Sequence, residues 1–194
     1  LNKWWAGYCE SVENHGKALD CYKKCGDYLS VVRIHCYRNE FQDAINIVNE
    51  TEDPAAAFHL AKQYELLEKP QEAISYYSKA KRYNHAARVA RKYDLDRELM
   101  NMTLQSYPAD MLETAAYFES REHYEKAVLL YQKGGNVSKA IDLSFKTQQF
   151  ESLRQIAESL GENSDPQLLA RCGEFFMQHE QYEKAVQLFI AAGK

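Results

Sequence analysis

The chain has 194 residues, of which 45% are hydrophobic and 27% charged, with only 8 Gly and 4 Pro, and its net charge at pH 7 is −4. This is the composition of an ordered, helix-rich protein; it excludes a linker or a low-complexity tract and gives no reason to expect binding to nucleic acid. No stretch approaches 18 consecutive apolar residues and no charged segment leads into an apolar one at the start, so we predict neither a membrane span nor a signal peptide.

A phrase that occurs four times organises the chain. Each copy has an alanine followed four residues later by an aromatic residue: Ala18 and Tyr22, Ala73 and Tyr77, Ala127 and Tyr131, Ala185 and Phe189. This spacing is a signature of helix-turn-helix repeats, since alanine allows a neighbouring helix to approach and the aromatic ring fills the groove one turn further on. In the third copy, Gly134-Gly135 ends the helix, because glycine enters the left-handed conformation without steric cost.

Further markers place the other helices of each repeat in chain order. An aromatic residue about ten positions before each alanine marks a partner helix: Tyr8, Tyr64, Phe118 and Phe176. Small residues thirteen positions after the first three alanines mark another: Val31, Ala86 and Ala140. Prolines suited to a first helical turn occur at Pro54, Pro108 and Pro166. The predicted helices span residues 3–14, 16–25, 28–38, 41–50, 54–68, 71–81, 84–93, 95–106, 109–121, 124–133, 136–147, 150–160, 166–179 and 182–192.

One repeat of about 55 residues therefore contains two antiparallel hairpins. We predict an all-α, tetratricopeptide-like α-solenoid of about seven short antiparallel helix hairpins, because each hairpin can bury its apolar face only against its neighbours. The predicted domain is single and covers residues 1–194, with units at roughly 1–53, 54–107, 108–164 and 165–194. The sequence begins inside a predicted helix and without Met, so we expect it to be a piece of a longer protein.

The first 40 residues are rich in cysteine and histidine, which raises the question of a zinc site. The residues concerned are Cys9, Cys21, Cys25, Cys36, His15 and His35. However, Cys21 and Cys25 continue the helical stripe of Ala18 and Tyr22, and buried free cysteine is a small hydrophobic residue by default. The odd number of cysteines and their uneven spacing favour a reducing cytoplasmic compartment. We predict core packing, with no metal site and no cofactor.

Residues 79–97 carry seven Lys or Arg against two Asp. Within them Lys81, His85, Arg88 and Lys92 fall on one face of the third helix of the second repeat, while Ala86, Ala87 and Ala90 fall on the other. Such a surface suits an anionic partner: an acidic protein segment, a phosphoinositide headgroup or RNA. The alternative is an ordinary solvated face.

The sequence carries no motif for catalysis: no phosphate-binding glycine loop, no nucleophile-elbow serine and no two-histidine zinc helix. We therefore predict a non-catalytic protein. A stand-alone peptide receptor that captures C-terminal carboxylates would need Lys, Arg and Asn on successive first helices. Those helices carry acidic or neutral residues instead: Gln63, Glu65, Glu119 and Glu174.

Several phrases together resemble a known family: WWAGYCES, VVRIHCY, DPAAAFHLAKQYE, DMLETAAYFE, KAIDLSFKTQQF and SDPQLLARCGEFFMQHEQYEKAVQLF. Their order and spacing are similar to the C-terminal solenoid of the intraflagellar transport protein 140 family, a type of subunit of intraflagellar transport complex A. The hairpin pattern is shared by many solenoids, whereas the combination of residues 33–36 and 147–150 is more specific. The resemblance covers nearly the whole chain.

That resemblance implies a scaffold of retrograde ciliary transport, which also supports cilium assembly and the entry of membrane proteins into the cilium. The implied partners are other subunits of complex A, a tubby-like adaptor and ciliary membrane cargo, without nucleic acid and without direct membrane insertion. The implied location is the cytoplasm, the ciliary base and the axoneme. A vesicle-coat scaffold of the coatomer type, which shares this architecture, is the alternative within scaffolds.

Overall fold

The structure, a computed structural model, describes residues 2–160 and 164–193. These residues contain fourteen α-helices and no β-strand. The fold is an all-α, tetratricopeptide-like solenoid of helical hairpins. None of the helices in these two ranges combines the length and the apolar character required to cross a lipid bilayer.

The helices fall into two compact units, residues 1–105 and residues 106–194. The helices of the first unit are α1 (Asn2–Ser11), α2 (His15–Lys24), α3 (Tyr28–Tyr37), α4 (Phe41–Thr51), α5 (Pro54–Leu66), α6 (Pro70–Lys79), α7 (Tyr83–Lys92) and α8 (Asp96–Thr103). Those of the second are α9 (Pro108–Ser120), α10 (Tyr124–Lys133), α11 (Val137–Lys146), α12 (Phe150–Ser159), α13 (Pro166–Gln178) and α14 (Tyr182–Ala191). Every predicted helix is confirmed, with ends that differ by at most three residues. The prediction of a single domain stays a prediction.

Each helix packs against the next one as an antiparallel hairpin: α1 with α2, α3 with α4, α5 with α6 and α7 with α8 in the first unit. In the second unit the hairpins are α9 with α10, α11 with α12 and α13 with α14. Neighbouring hairpins are joined by side-by-side helices, such as α3 with α5. The surface at the junction of α3, α5 and α7 is therefore composed of residues that lie far apart in the sequence.

Helix starts follow local chemistry. The side chains of Asn14, Asp27, Asp53, Asn136 and Asp165 accept a hydrogen bond from a backbone N–H in the first turn of the helix that follows. Proline occupies the first turn of α5, α6, α9 and α13. The proline of α6, Pro70, was not among the predicted markers.

The turns between helices use a left-handed residue shortly after the helix ends. Gly135 has φ of +88°, whereas Gly134 is right-handed, so only one glycine of the pair serves the predicted purpose. Gly134 packs closely instead: a Cβ there would lie 2.9 Å from Leu112 Cδ2, so a larger residue would displace the end of that side chain. Elsewhere in the described ranges, nine turns place a residue with a side chain in the left-handed region, at φ between +50° and +62°.

The repeat core has three recurrent positions. The motif alanines are fully buried, and so are the small residues twelve positions earlier on the partner helix: Ala6, Ala61, Ala115 and Gly173. At Gly173 the approach is close enough that an added Cβ would lie 3.0 Å from the Phe189 ring. The bulky position nine residues before the alanine is Cys9, Tyr64, Phe118 and Phe176, all buried. In the first copy the helix marked by Tyr8 is present, but the residue that fills the core is its neighbour Cys9, and Tyr8 is 49% exposed.

A polar cross-link recurs above this core. Tyr22, Tyr77 and Tyr131 each donate their hydroxyl to a glutamate twelve residues earlier on the partner helix, at 3.0, 2.8 and 2.7 Å. Each glutamate also pairs with a cation of the next hairpin: Glu10 with Arg33, Glu65 with Arg88 and Glu119 with Lys139. We call each set a Glu–Tyr–cation triad. In the fourth copy the tyrosine is replaced by Phe189, and Met177 occupies the glutamate position.

Candidate protein-interaction surface

The four residues predicted for an anionic partner do not lie on one helix. Lys81 precedes α7, in the turn after α6, with a left-handed φ of +55°. His85, Arg88 and Lys92 are on α7, and its opposite face is buried as predicted through Ala86, Ala87 and Ala90. The side chains of the four also have different surroundings, which decide what each could bind.

Arg88 is engaged with a carboxylate. Its guanidinium donates from Nη1 to Glu65 Oε1 (2.9 Å) and from Nη2 to Glu65 Oε2 (2.8 Å). Tyr77 donates to the same carboxylate, so Glu65 joins α5, α6 and α7. These hydrogen bonds, that of Arg88 first, lower the pKa of Glu65 below its usual value. The positive charge of Arg88 is therefore compensated within the first unit.

His85 packs between two aromatic rings, stacked on that of Tyr77 and edge-on to that of Phe58. Its ring centroid is 5.4 Å from that of Tyr77 and 5.2 Å from that of Phe58. Burial, and then the nearby charge of Arg88, lower the pKa of His85 below 6.5, so its imidazole is mostly neutral at pH 7. As a neutral ring it can donate or accept a hydrogen bond but adds no charge.

Lys92 and Lys81 have surroundings that differ from each other and from those of His85. The Lys92 ammonium lies 5.2 Å from the centroid of the Tyr93 ring. Lys81 lines a cavity of about 330 Å³ with Lys79, Asn49 and Glu52. His85, by contrast, lines a larger groove, so the structure does not bring Lys81 and His85 into one site.

That larger groove, of about 680 Å³, lies within the first unit where α3, α5 and α7 meet. We call it the α3–α5–α7 groove. Its lining consists of Leu29 from α3, residues from Asp53 to Lys62 on α5 and its cap, and Arg82 and His85 at the start of α7. The volume is in the range of about 300–1,000 Å³ typical of ligand sites in proteins.

The groove combines positive charge with apolar surface. Lys62 and Arg82 are exposed, and no carboxylate within residues 2–160 and 164–193 pairs with either. The carboxylate in the lining, Asp53, accepts from Ala56 N (2.7 Å) as the cap of α5. Burial, and then the charges of Arg33 and Lys62, lower the pKa of His59. The sequence had not indicated His59, Lys62 or Arg82, because they come together only through the packing of three helices.

The cysteines do not form a metal site in the part of the chain that the structure describes. Cys9 and Cys36 are buried, and burial raises the pKa of the Cys36 thiol to about 11, so it stays protonated at pH 7. The group of described residues with suitable ligand spacing is instead His35, Glu40 and Asp43. Its central carboxylate already binds His35 Nδ1 (2.9 Å) and Arg38 (2.8 Å), and an arginine at that position repels a cation.

Two of the three glutamates that seemed to disfavour anion binding are paired, whereas the third, Glu174, is exposed. Glu65 is paired with Arg88, and Glu119 accepts from Tyr131 and lies 3.0 Å from the Lys139 ammonium. The first helices therefore present less negative charge than their sequence indicates. An anionic ligand near α5 would face Lys62 and Arg82 rather than a free Glu65.

Comparison with known proteins decides the family. The family model of the TPR domain of intraflagellar transport proteins 140 and 172 matches residues 1–194, the full length of this chain. The chain belongs to this TPR domain family. This match shows membership of a family named after two proteins, and it does not distinguish intraflagellar transport protein 140 from protein 172.

A curated relative of this TPR domain is the human protein named intraflagellar transport protein 172 homolog. It is 27% identical over 190 residues, which are 93% of this chain and 10% of the relative. The chain therefore spans about a tenth of that protein's length.

Two solved structures are also similar. The crystal structure of MamA has a TM-score of 0.36 and 13% identity, covering 90% of this chain and 85% of MamA. YrrB, described as a TPR protein with an unusual peptide-binding site, has a TM-score of 0.35 and 16% identity, covering 77% of this chain and 90% of YrrB. At scores this low, neither structure bears on the groove.

Proposed function

We propose that the chain is a non-catalytic protein-interaction scaffold of intraflagellar transport. The observation that carries this proposal is the match of the intraflagellar transport TPR domain to all 194 residues. The helical hairpins support it, because stacked hairpins offer extended surfaces on which other proteins can lie. Such a scaffold binds other proteins and catalyses no reaction.

The finer assignment that we propose is to intraflagellar transport complex A, with retrograde transport, cilium assembly and ciliary entry of membrane proteins as its roles. Its partners would be other complex A subunits, with a tubby-like adaptor and membrane cargo bound through the assembled complex. Its location would be the cytoplasm, the ciliary base and the axoneme. The curated relative carries the second name of the family, so this assignment to complex A needs its own test.

The test is affinity purification of the full-length protein that contains this segment, from ciliated cells. We expect intraflagellar transport subunits in the eluate, and complex A subunits at close to equal amounts. Recovery of other intraflagellar transport subunits without complex A would overturn the finer assignment. Recovery of vesicle-coat subunits alone would favour the coatomer-type scaffold and overturn the broader proposal as well.

For the predicted surface of Lys81, His85, Arg88 and Lys92, we propose an anionic partner that is bound through the exposed lysines, Lys81 and Lys92, because Arg88 is paired with Glu65 and His85 is mostly neutral. Charge reversal at Arg88 would set a glutamate against Glu65 and disturb the fold, so it cannot test binding alone. Lys81→Glu with Lys92→Glu avoids this problem. We expect this double variant to lose a partner in the same purification, while Lys23→Glu with Lys24→Glu on α2 loses none. An identical set of partners for both double variants would contradict the proposal.

A further inference from the structure

We propose that the α3–α5–α7 groove binds an extended acidic peptide segment of a partner protein, with its carboxylates at Lys62 and Arg82 and an apolar side chain between them. The inference rests on the proposed scaffold function and names the chemistry of one partner. Neither cation belonged to the predicted anionic surface. The binding depends on the charge, the apolar area and the rigidity of the groove.

The charges of the groove are complementary to a carboxylate-bearing peptide. Lys62 comes from α5 and Arg82 from the residue that precedes α7, so the two cations approach from different hairpins. Lys62 Nζ lies 5.6 Å from the centroid of the Phe58 ring, which holds the ammonium beside the apolar part of the lining. An aspartate or glutamate there would exchange a solvated cation for a charge-assisted hydrogen bond.

The apolar part of the lining favours a peptide over a simple anion. Leu29 is 39% exposed, and Phe58 lies half-buried beside it, with Pro54 and Ala55 exposed at the start of α5. A leucine or similar side chain flanked by acidic residues would cover this surface. Inorganic phosphate or a sugar headgroup would leave it in contact with water.

Aromatic packing and a triad hold the wall of the groove together, which should keep the ordering cost of binding small. Phe58 packs edge-on against Tyr77 at 5.5 Å, and the Glu65–Tyr77–Arg88 triad joins the three helices beneath it. Rigid surfaces lose little conformational entropy on association, so more of the contact energy is realised as affinity. The same packing places His85 at the edge of the groove, which His59 also lines.

Two other classes of anion fit less well. Nucleic acid is held by many cations that follow its backbone, and anionic membranes attract clusters of about four to eight basic residues. The lining of the α3–α5–α7 groove presents Lys62 and Arg82 beside an apolar surface. A short peptide with two or three acidic residues matches these cations.

The test uses this chain and two defined peptides, acetyl-SELDELS-amide and its neutral counterpart acetyl-SQLNQLS-amide. Titration followed by two-dimensional NMR should show binding of the acidic peptide with shifts of the His59 and His85 resonances, and weak or no binding of the neutral peptide. Lys62→Gln with Arg82→Gln should weaken the acidic peptide by about tenfold or more, because charge-assisted contacts are lost. The control Lys23→Gln with Lys24→Gln should bind as the parent does, and thermal melts of both double variants should match that of the parent.

A pH series separates specific binding from general charge attraction. His59 faces Arg33 of α3 and Lys62 of α5, while His85 faces Tyr77 of α6, Arg82 and Arg88 at α7, and Lys62 and Glu65 of α5. A bound carboxylate would favour protonation of both rings. The affinity for the acidic peptide should therefore rise as the pH falls from about 7.5 to about 6, where carboxylates remain ionised.

Three results with this chain would overturn the proposal. They are equal binding of the two peptides, parental affinity in the Lys62→Gln, Arg82→Gln variant, and binding of phosphoinositide vesicles or a poly(U) oligonucleotide in place of the peptide. The scaffold function can fail separately: it is overturned if the full-length parent protein purifies with no intraflagellar transport subunit, even when this chain binds the acidic peptide as expected. If the full-length Lys62→Gln, Arg82→Gln variant keeps every partner of the parent, the groove does not bind a segment of a partner, and the groove proposal is overturned while the scaffold function stands.

Discussion

At the scale of single residues, the Glu–Tyr–cation triads are the most informative feature of this chain. Glu65 receives two hydrogen bonds from Arg88 and one from Tyr77, and it is half-buried where three helices meet. A carboxylate with three donors is held in its ionised form. Its contribution to stability must therefore depend on pH.

Glu65→Gln should reduce stability at neutral pH and reduce the sensitivity to acid. The pKa of Glu65 is lower in the folded chain than in the unfolded one, so its stabilisation is present above the unfolded value of about 4.3 and is lost as the pH falls through the folded value. Because the pair is partly exposed, we expect a difference on the order of 1 kcal/mol at pH 7. Urea unfolding of both proteins from pH 7 to pH 3 measures it.

The difference between parent and Glu65→Gln should shrink toward zero as the pH falls. Glu72→Gln, at an exposed carboxylate on α6, is the control and should lack this pattern. A gap between parent and Glu65→Gln that stays constant with pH would show that the carboxylate charge is not involved.

Tyr77→Phe should destabilise the chain by about 1 kcal/mol, since the Glu65 carboxylate loses one donor while the ring still fills the core. The fourth copy supplies the control. Phe189→Tyr adds a hydroxyl opposite Met177, where the sequence offers no glutamate, and should give no comparable gain. If Phe189→Tyr raised the midpoint of urea unfolding as much as Tyr77→Phe lowered it, this account of the triad would be contradicted.

At the scale of the helix, small residues decide how closely hairpins pack. Ala127 has no exposed surface, and Ala115 of the partner helix has none either. Ala127→Phe should overpack this contact and cost about 1–3 kcal/mol. Glu125→Phe places the same ring on the exposed side of α10 and should leave the melting temperature near that of the parent. An unchanged melting temperature for Ala127→Phe would mean that the buried face of α10 is misplaced.

The turns between helices contain backbone strain that a substitution could relieve. Glu68 is left-handed at φ +54°, a conformation that costs a residue with a side chain about 1 kcal/mol relative to glycine. Glu68→Gly should therefore raise the melting temperature. Ser75→Gly, at an exposed position in the middle of α6, should lower it, because glycine is a poor helix former. If both variants melt lower than the parent, then interactions of the Glu68 side chain outweigh its backbone strain.

The helices were predictable because their signals are local. The alanine and aromatic spacing, the first-turn prolines and the small residues at Val31, Ala86 and Ala140 all reflect one periodic packing pattern. In the first copy the aromatic marker lies one residue away from the buried position, because Cys9 occupies that position and the aromatic residue is its neighbour Tyr8. The small residues twelve positions before each motif alanine were visible at constant spacing and could have corrected the register.

The candidate site was less predictable because its contacts are not local. Arg88 looks free on a helical wheel, and its partner Glu65 is 23 residues away in another hairpin. Likewise, Lys81 fits the periodicity of α7 only if the helix extends through a residue that is in fact left-handed. His59, Lys62 and Arg82 carry no common spacing at all. Such sites emerge from the packing of helices and not from the pattern within one.

At the scale of the whole molecule, a group of exposed apolar residues lies near each end of the described chain. Trp4, Trp5 and Tyr8 are 72%, 47% and 49% exposed and stack on one another, and Val186 and Ile190 are 52% and 71% exposed. Surfaces of this kind mark contacts with other protein. We expect the isolated chain to self-associate as its concentration rises.

Static light scattering over a hundredfold range of concentration measures this association. Trp4→Glu with Ile190→Glu should shift the mass toward the monomer, while Tyr37→Glu, an exposed aromatic residue of α3, should not. A strict monomer for the parent at high concentration would contradict the expectation.

The triads also bear on how similar hairpins find their proper neighbours. In the first two repeats a glutamate of the first helix attracts an arginine of the third, whereas the matching position of the third repeat is Asp142, which pairs with Arg171 of α13. A hairpin that docked out of order could set Asp142 against Glu65, and the two like charges would repel. The charge at this position thus distinguishes the third repeat from the first two, and it would discourage mis-stacking among segments that share one apolar pattern.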